Sequence, residues 1–95
     1  MDIKITWQND RWSSGTWTKG TVGKHSFSAL VFPEHAVCKH YELGRSKISK
    51  LWVTKNDNPV FNFDRGLDIA AKGKDAKRAV KLLCDKLAGM VFPTK

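Results

Sequence analysis

The sequence predicts one α+β domain: an antiparallel β-meander of four to six strands with a single C-terminal α-helix packed on one face. Three observations carry this. Short segments between Ile3 and Asp64 alternate apolar and polar residues, the period of a strand with one buried face. Turn-forming residues punctuate them at short intervals. From Lys74 onward the apolar spacing becomes that of a helix. The 95 residues form one domain, 1–95, without internal repeat, low-complexity tract or linker.

The first predicted strand runs from Asp2 to Trp7, with Ile3, Ile5 and Trp7 on one face, so Trp7 is expected in the core. Gln8 to Gly15 reads as a loop. Thr16 to Val22 is the second strand. Gly23-Lys24 supplies a two-residue hairpin turn, since glycine tolerates the positive φ such a turn needs. Ser26 to Phe32 is the third strand, ended by Pro33, which cannot continue a central ladder. His35 to Leu43 is open between a loop and a short edge strand. Gly44-Arg45-Ser46 then turns the chain into a strand over Lys47 to Lys55, rich in β-branched and aromatic residues. Asn56-Asp57-Asn58-Pro59 is a strong turn signal, and Val60 to Asp64 completes a hairpin.

The predicted helix spans Lys74 to Ala88, with Ala76, Val80, Leu83, Cys84 and Leu87 on one arc. Asp75 suits its N-terminus, by capping or by charge, and Gly89 suits its stop. Only this helix can cover the sheet. The second sheet face therefore stays open unless a partner or second subunit covers it.

Composition narrows the class of function. Hydrophobic residues at 41% and charged residues at 27% describe a folded chain, and four Trp with five Phe enlarge a thin core. No apolar run approaches the ~20 residues of a membrane span, and the N-terminus lacks a signal-peptide stretch, so a cytoplasmic protein is expected. The two cysteines, Cys38 and Cys84, fit that compartment, although one disulfide between them is a possible alternative.

Seventeen Lys and Arg face nine Asp and Glu, a net charge of +8. Residues 1–42 carry five basic and four acidic side chains, whereas residues 43–95 carry twelve and five. A field concentrated in one half suits nucleic acid or an acidic protein surface; the plain alternative is a charge that keeps a small domain soluble.

Two constellations give that field a form. Lys74, Lys77, Arg78 and Lys81 lie on the helix arc opposite its apolar stripe, with Lys72 at its start and Asp85 weakening its end. A solvated helix face is the bland reading of the same residues. Trp7, Trp12 and Trp17 recur five residues apart beside Arg11 and Lys19, and Trp52 stands between Lys50 and Lys55. Exposed aromatics stack on unpaired bases while cations hold the backbone. Trp12, in the loop, is the best placed for exposure; Trp52 can point either way, since Ile48 shares its face and Leu51 and Val53 the other. The candidate binding set is thus Lys50, Lys72, Lys74, Lys77, Arg78, Lys81, Trp12 and Arg11.

His35, Cys38 and His40, with Cys84 or His25, have metal-binding residue types but not the paired spacing of a structural zinc site, so no metal or cofactor is expected. Asp64-Arg65-Gly66 and Asp68 have no second acidic cluster facing them, and no phosphate loop, nucleophile elbow or HExxH motif occurs. Arg65 or Asp68 is better explained by satisfying backbone groups, and the chain is not expected to be an enzyme.

Gly44-Arg45, Ile48-Ser49-Lys50-Leu51-Trp52-Val53 and Phe61-Asn62-Phe63-Asp64-Arg65-Gly66-Leu67-Asp68 together resemble a family of small uncharacterised phage- and prophage-type proteins. In that pattern a Gly-Arg turn leads directly into Ile-Ser-Lys-Leu, and an Asp-Arg-Gly-Trp-Asp segment follows. Here Ser46 and Lys47 intervene, and Leu67 replaces the tryptophan. The resemblance implies a phage or mobile-element origin. The strand-then-helix order is also similar to the single-strand-binding sheets of the PUR, Whirly and transcriptional-coactivator type, which implies a possible homodimer.

The sequence thus predicts a small basic non-enzymatic module that binds DNA or RNA through a Lys/Arg patch. Its first alternative is a phage-encoded inhibitor, an anti-CRISPR or other counter-defence protein, that docks on a host protein complex. The second is a structural dimer without ligand.

Overall fold

A computed structural model describes residues 2–9, 15–38, 42–64 and 66–92. Six strands, β1 (Ile3–Gln8), β2 (Thr16–Val22), β3 (His25–Val31), β4 (Ile48–Lys55), β5 (Asn58–Asp64) and β6 (Leu67–Ile69), precede one helix, α1 (Lys74–Val91). The strands form one sheet in the order β1-β2-β3-β4-β5-β6, each pair antiparallel. The expected α+β meander with a C-terminal helix is therefore the fold, and β6, three residues long, extends it beyond the predicted last strand.

Local chemistry sets the two tight hairpins. Val22 pairs with His25, leaving the two-residue turn Gly23-Lys24, and Gly23 sits at φ 60 as a type II′ turn requires at its first central position. Lys55 pairs with Asn58 across Asn56-Asp57, both at positive φ, the geometry of a type I′ turn. The strand after this turn begins at Asn58 and includes Pro59, earlier than predicted. A register shift between Val53 and Thr54 lets the proline sit near the strand start.

The core lies between one sheet face and α1. Val22, Phe27, Ala29, Val31, Ile48, Leu51, Val53, Phe61 and Phe63 meet Ala79, Leu83, Leu87 and Val91, all buried. Each large aliphatic side chain here contributes roughly 1.5–3 kcal/mol by leaving water. Asp75 sits in the first helical turn, but the N-cap is Gly73 and no side chain caps it, so Asp75 acts there through charge. The helix also runs through Gly89 instead of stopping there. Its extra turn buries Val91 completely, and the Phe92 amide donates to the Ala88 carbonyl at 2.8 Å. That burial outweighs the ~1 kcal/mol that a helical glycine costs.

The segment from Glu34 to Lys47 forms no strand among its described residues. Its anchor is Glu42, a buried carboxylate. Oε1 accepts from the Ala36 amide at 2.7 Å; Oε2 accepts from the Lys47 amide at 2.8 Å and from His35 Nδ1 at 2.7 Å. Burial raises the Glu42 pKa, but the hydrogen bonds from His35, Lys47 and Ala36 more than offset it and hold the group below 4.5. Lys47 occupies φ 66, unusual for a residue with a side chain, and both its backbone groups are engaged: its carbonyl accepts from the Phe32 amide at 2.9 Å.

Gly20 lies opposite Ile5, and a Cβ there would stand 1.9 Å from the Lys4 carbonyl oxygen, so Gly20→Ala must push β1 away from β2. We expect a loss of about 1–3 kcal/mol in urea unfolding. For Glu42, a depressed folded pKa means its contribution is complete above 4.5 and is lost as pH falls through the lower folded value. Glu42→Gln places an amide NH2 against N–H donors. It should cost about 1–3 kcal/mol at pH 7 and flatten the stability loss between pH 5 and pH 3, as followed by urea titrations across that range.

Candidate functional site

The face of the sheet away from α1 carries the unusual chemistry. Along β1, residues Ile3 and Ile5 point toward the core, and strict alternation would send Trp7 there too. A register shift between Ile5 and Trp7 makes Thr6 an extra residue, and Trp7 pairs with the outward-facing Lys19. Trp7 is therefore 51% exposed, not a core residue. The Thr6 hydroxyl donates to the Lys19 carbonyl at 3.3 Å, and the Thr18 hydroxyl donates to the Trp7 carbonyl at 3.4 Å, fixing the bulge.

A second shift, between Leu30 and Val31, makes Ser49 the extra residue of β4. Ile48 and Leu51 are both buried, while Lys50 and Trp52 face outward, with Trp52 46% exposed. Trp17 joins them from β2. Its amide donates to Asn9 Oδ1 at 3.1 Å and its carbonyl accepts from the Asn9 amide at 3.1 Å, so both backbone groups are held.

The register arranges these side chains in rows across the sheet. One row reads Trp7, Lys19, Ser28, Trp52, Asn62 from β1 to β5. The next reads Trp17, Leu30, Lys50, Asp64 from β2 to β5. Trp7 and Trp52 are three strand spacings apart, ~14 Å. Each lysine lies beside an indole: Lys19 Nζ is 5.5 Å from the Trp7 ring centroid and Lys50 Nζ is 5.9 Å from that of Trp17. Lys50 also meets Asp64 at 3.6 Å, a loose pair of which Asp64 is 61% exposed. Between the rows and the sheet end lies a shallow depression of about 240 Å³, lined by Lys19, Ser26, Phe27, Ser28, Trp52 and Thr54.

The candidate residues named from sequence fall on two surfaces. Lys50 stands on the open sheet face. Lys72 precedes α1, and Lys74, Lys77, Arg78 and Lys81 project from the solvent side of α1, across the core from Lys50. Lys81 is paired with Asp85 at 3.0 Å. Arg11 and Trp12 lie outside the described residues. Trp7, Trp17, Trp52 and Lys19 are outside that set; the signal available for Trp7 is Gly20, a strand-interior glycine that marks close backbone approach.

Among the described residues, no three His, Cys, Asp or Glu side chains gather as a metal-binding group. His35 is held by Glu42, and His40 lies outside the described residues. Cys38 and Cys84 are both free thiols. Burial pushes the Cys84 thiol up to about 11, opposed by a hydrogen bond from Ser46, so it stays protonated at neutral pH. The Asp64 amide donates to the Gly66 carbonyl at 3.0 Å, just before β6. Among the described residues, no helix is long and apolar enough to cross a membrane.

A family model described as a domain of unknown function, DUF7678, matches residues 16–88. The chain belongs to that family. No curated protein and no solved structure matches it. The DUF7678 match begins at the first residue of β2 and runs into the last turns of α1, so it takes in Trp17, Lys19, Lys50 and Trp52. β1, with Trp7, precedes the matched stretch.

Proposed function

We propose that this DUF7678 domain is a non-enzymatic nucleic-acid-binding module of the cytoplasm and that its contact surface is the open sheet face. The observation that carries the reading is the juxtaposition of Lys19 and Lys50 with Trp7 and Trp17 on a sheet face that no other described element covers. Cations in such a setting meet phosphates, and the adjacent ring faces meet bases. The net charge of +8 adds a long-range field that draws a polyanion toward any surface of so small a molecule. Lys50 keeps the role that its sequence neighbourhood suggested. Lys74, Lys77, Arg78 and Lys81 form a separate positive surface on the opposite side, where they add to the field without sharing the aromatic site.

The test is the salt dependence of binding. On a single strand each neutralised phosphate contributes about −0.7 to the slope of log affinity against log salt. We expect Lys19→Gln with Lys50→Gln to flatten that slope by about 1.4 and to weaken binding at low salt by at least about tenfold. Lys77→Glu with Arg78→Glu should change affinity by less than about threefold once salt screens its contribution. A flat salt response in the unaltered protein removes the reading. So does a nuclease-resistant stoichiometric complex with a host protein that forms in place of any nucleic-acid complex.

A further inference from the structure

We propose that the open face selects unpaired bases, with Trp7, Trp17 and Trp52 serving as stacking platforms and the depression beside Trp52 seating one base. The inference rests on the nucleic-acid reading above and names which nucleic acid the site takes: a single strand of DNA or RNA. Three observations carry it. First, the rings occupy β1, β2 and β4 in neighbouring rows, so a strand crossing the sheet meets them in succession. Second, the depression is lined by Trp52 and Phe27 together with Lys19, Ser26, Ser28 and Thr54. That lining combines aromatic surface with hydroxyl and ammonium groups, which suits a flat heterocycle bearing polar edges and a nearby phosphate. Third, the indoles sit on a broad sheet, not on a protruding helix. A duplex keeps its base faces stacked inside and presents only grooves and phosphates, so these rings gain nothing from it unless a base is first unstacked.

A second copy of the chain is the main competing occupant of an aromatic sheet face. Charge argues against it. A two-fold packing of this face would gather Lys4, Lys19 and Lys50 of both molecules into one interface, and among the described strand side chains on this face only Asp64 offers an opposite charge. A single strand brings both the planar partners and the negative charge.

The test uses the full chain with a short oligothymidylate, the matching oligouridylate and a mixed-sequence hairpin duplex. Affinity is read by fluorescence anisotropy, indole quenching by intrinsic fluorescence, and mass by light scattering. Both single strands should bind more tightly than the duplex and quench the tryptophan emission. Trp52→Ala and Trp7→Ala should each weaken single-strand binding by about tenfold or more while leaving duplex binding unchanged, with Trp52→Phe retaining most of the affinity. Both positions are half exposed, so these variants should melt within a few degrees of the parent. If single strand and duplex bind equally and the tryptophan variants alter neither, while Lys19→Gln with Lys50→Gln weakens both, nucleic-acid binding stands and selection of unpaired bases falls. If none of the three probes binds at low salt, both readings fall. A dimer whose formation shields the indoles and excludes the oligonucleotides would also overturn the inference.

Discussion

A single helix of 18 residues lies against a sheet of six strands, and it can bury only one of the two faces. That inequality governs the rest of the molecule. The covered face receives the buried aliphatic and phenylalanine side chains. The other face must live in water, and scattered apolar residues there would need no explanation. Three indoles in adjacent rows, two of them with a lysine beside the ring, are not scattered. They form a patch whose apolar planes stay hydrated unless something flat and negatively charged covers them.

Much of this architecture was legible from alternation and turn chemistry. The strands on either side of Gly23-Lys24 and of Asn56-Asp57, the change of period at Lys74 and the apolar stripe through Leu83 and Leu87 all follow from local rules that the tertiary structure obeys. The side assignments of the tryptophans were less legible, and for one reason. Parity along a strand holds only while pairing is unbroken, and one inserted residue sends every later side chain to the opposite face. Thr6 does this to Trp7 and Ser49 does it within β4. Gly89 illustrates the same limit in the helix. A local stop signal is overridden when the next turn can bury Val91.

The distribution of charge shows where sequence arithmetic runs out. The basic excess after residue 43 marks a stretch of chain, not a surface, because β4, β5 and α1 contribute to both sides of the molecule. Lys50 and the α1 cations are close in that accounting and lie on opposite sides of the core. Two of the most suggestive cations also have carboxylate neighbours, Lys50 with Asp64 and Lys81 with Asp85. These exposed pairs are worth little energetically and leave the lysines available to a stronger anion. What distinguishes Lys50 from Lys81 is therefore the indole beside it rather than its charge.

The aromatic face depends in turn on irregularities placed beneath it. Glu42 gathers the Ala36 and Lys47 amides and the His35 ring, and Lys47 is thereby held in a backbone conformation that delivers Ile48 to the core at the start of β4. With Ile48 fixed and Ser49 bulged, Leu51 must face inward and Lys50 and Trp52 must face out. On the far side of the sheet, the missing Cβ of Gly20 lets β1 approach closely where the Thr6 bulge turns Trp7 outward. A buried acid in a basic protein and a glycine in a strand interior are each unfavourable in isolation. Both become intelligible as the devices that put indoles from two distant strands on one surface.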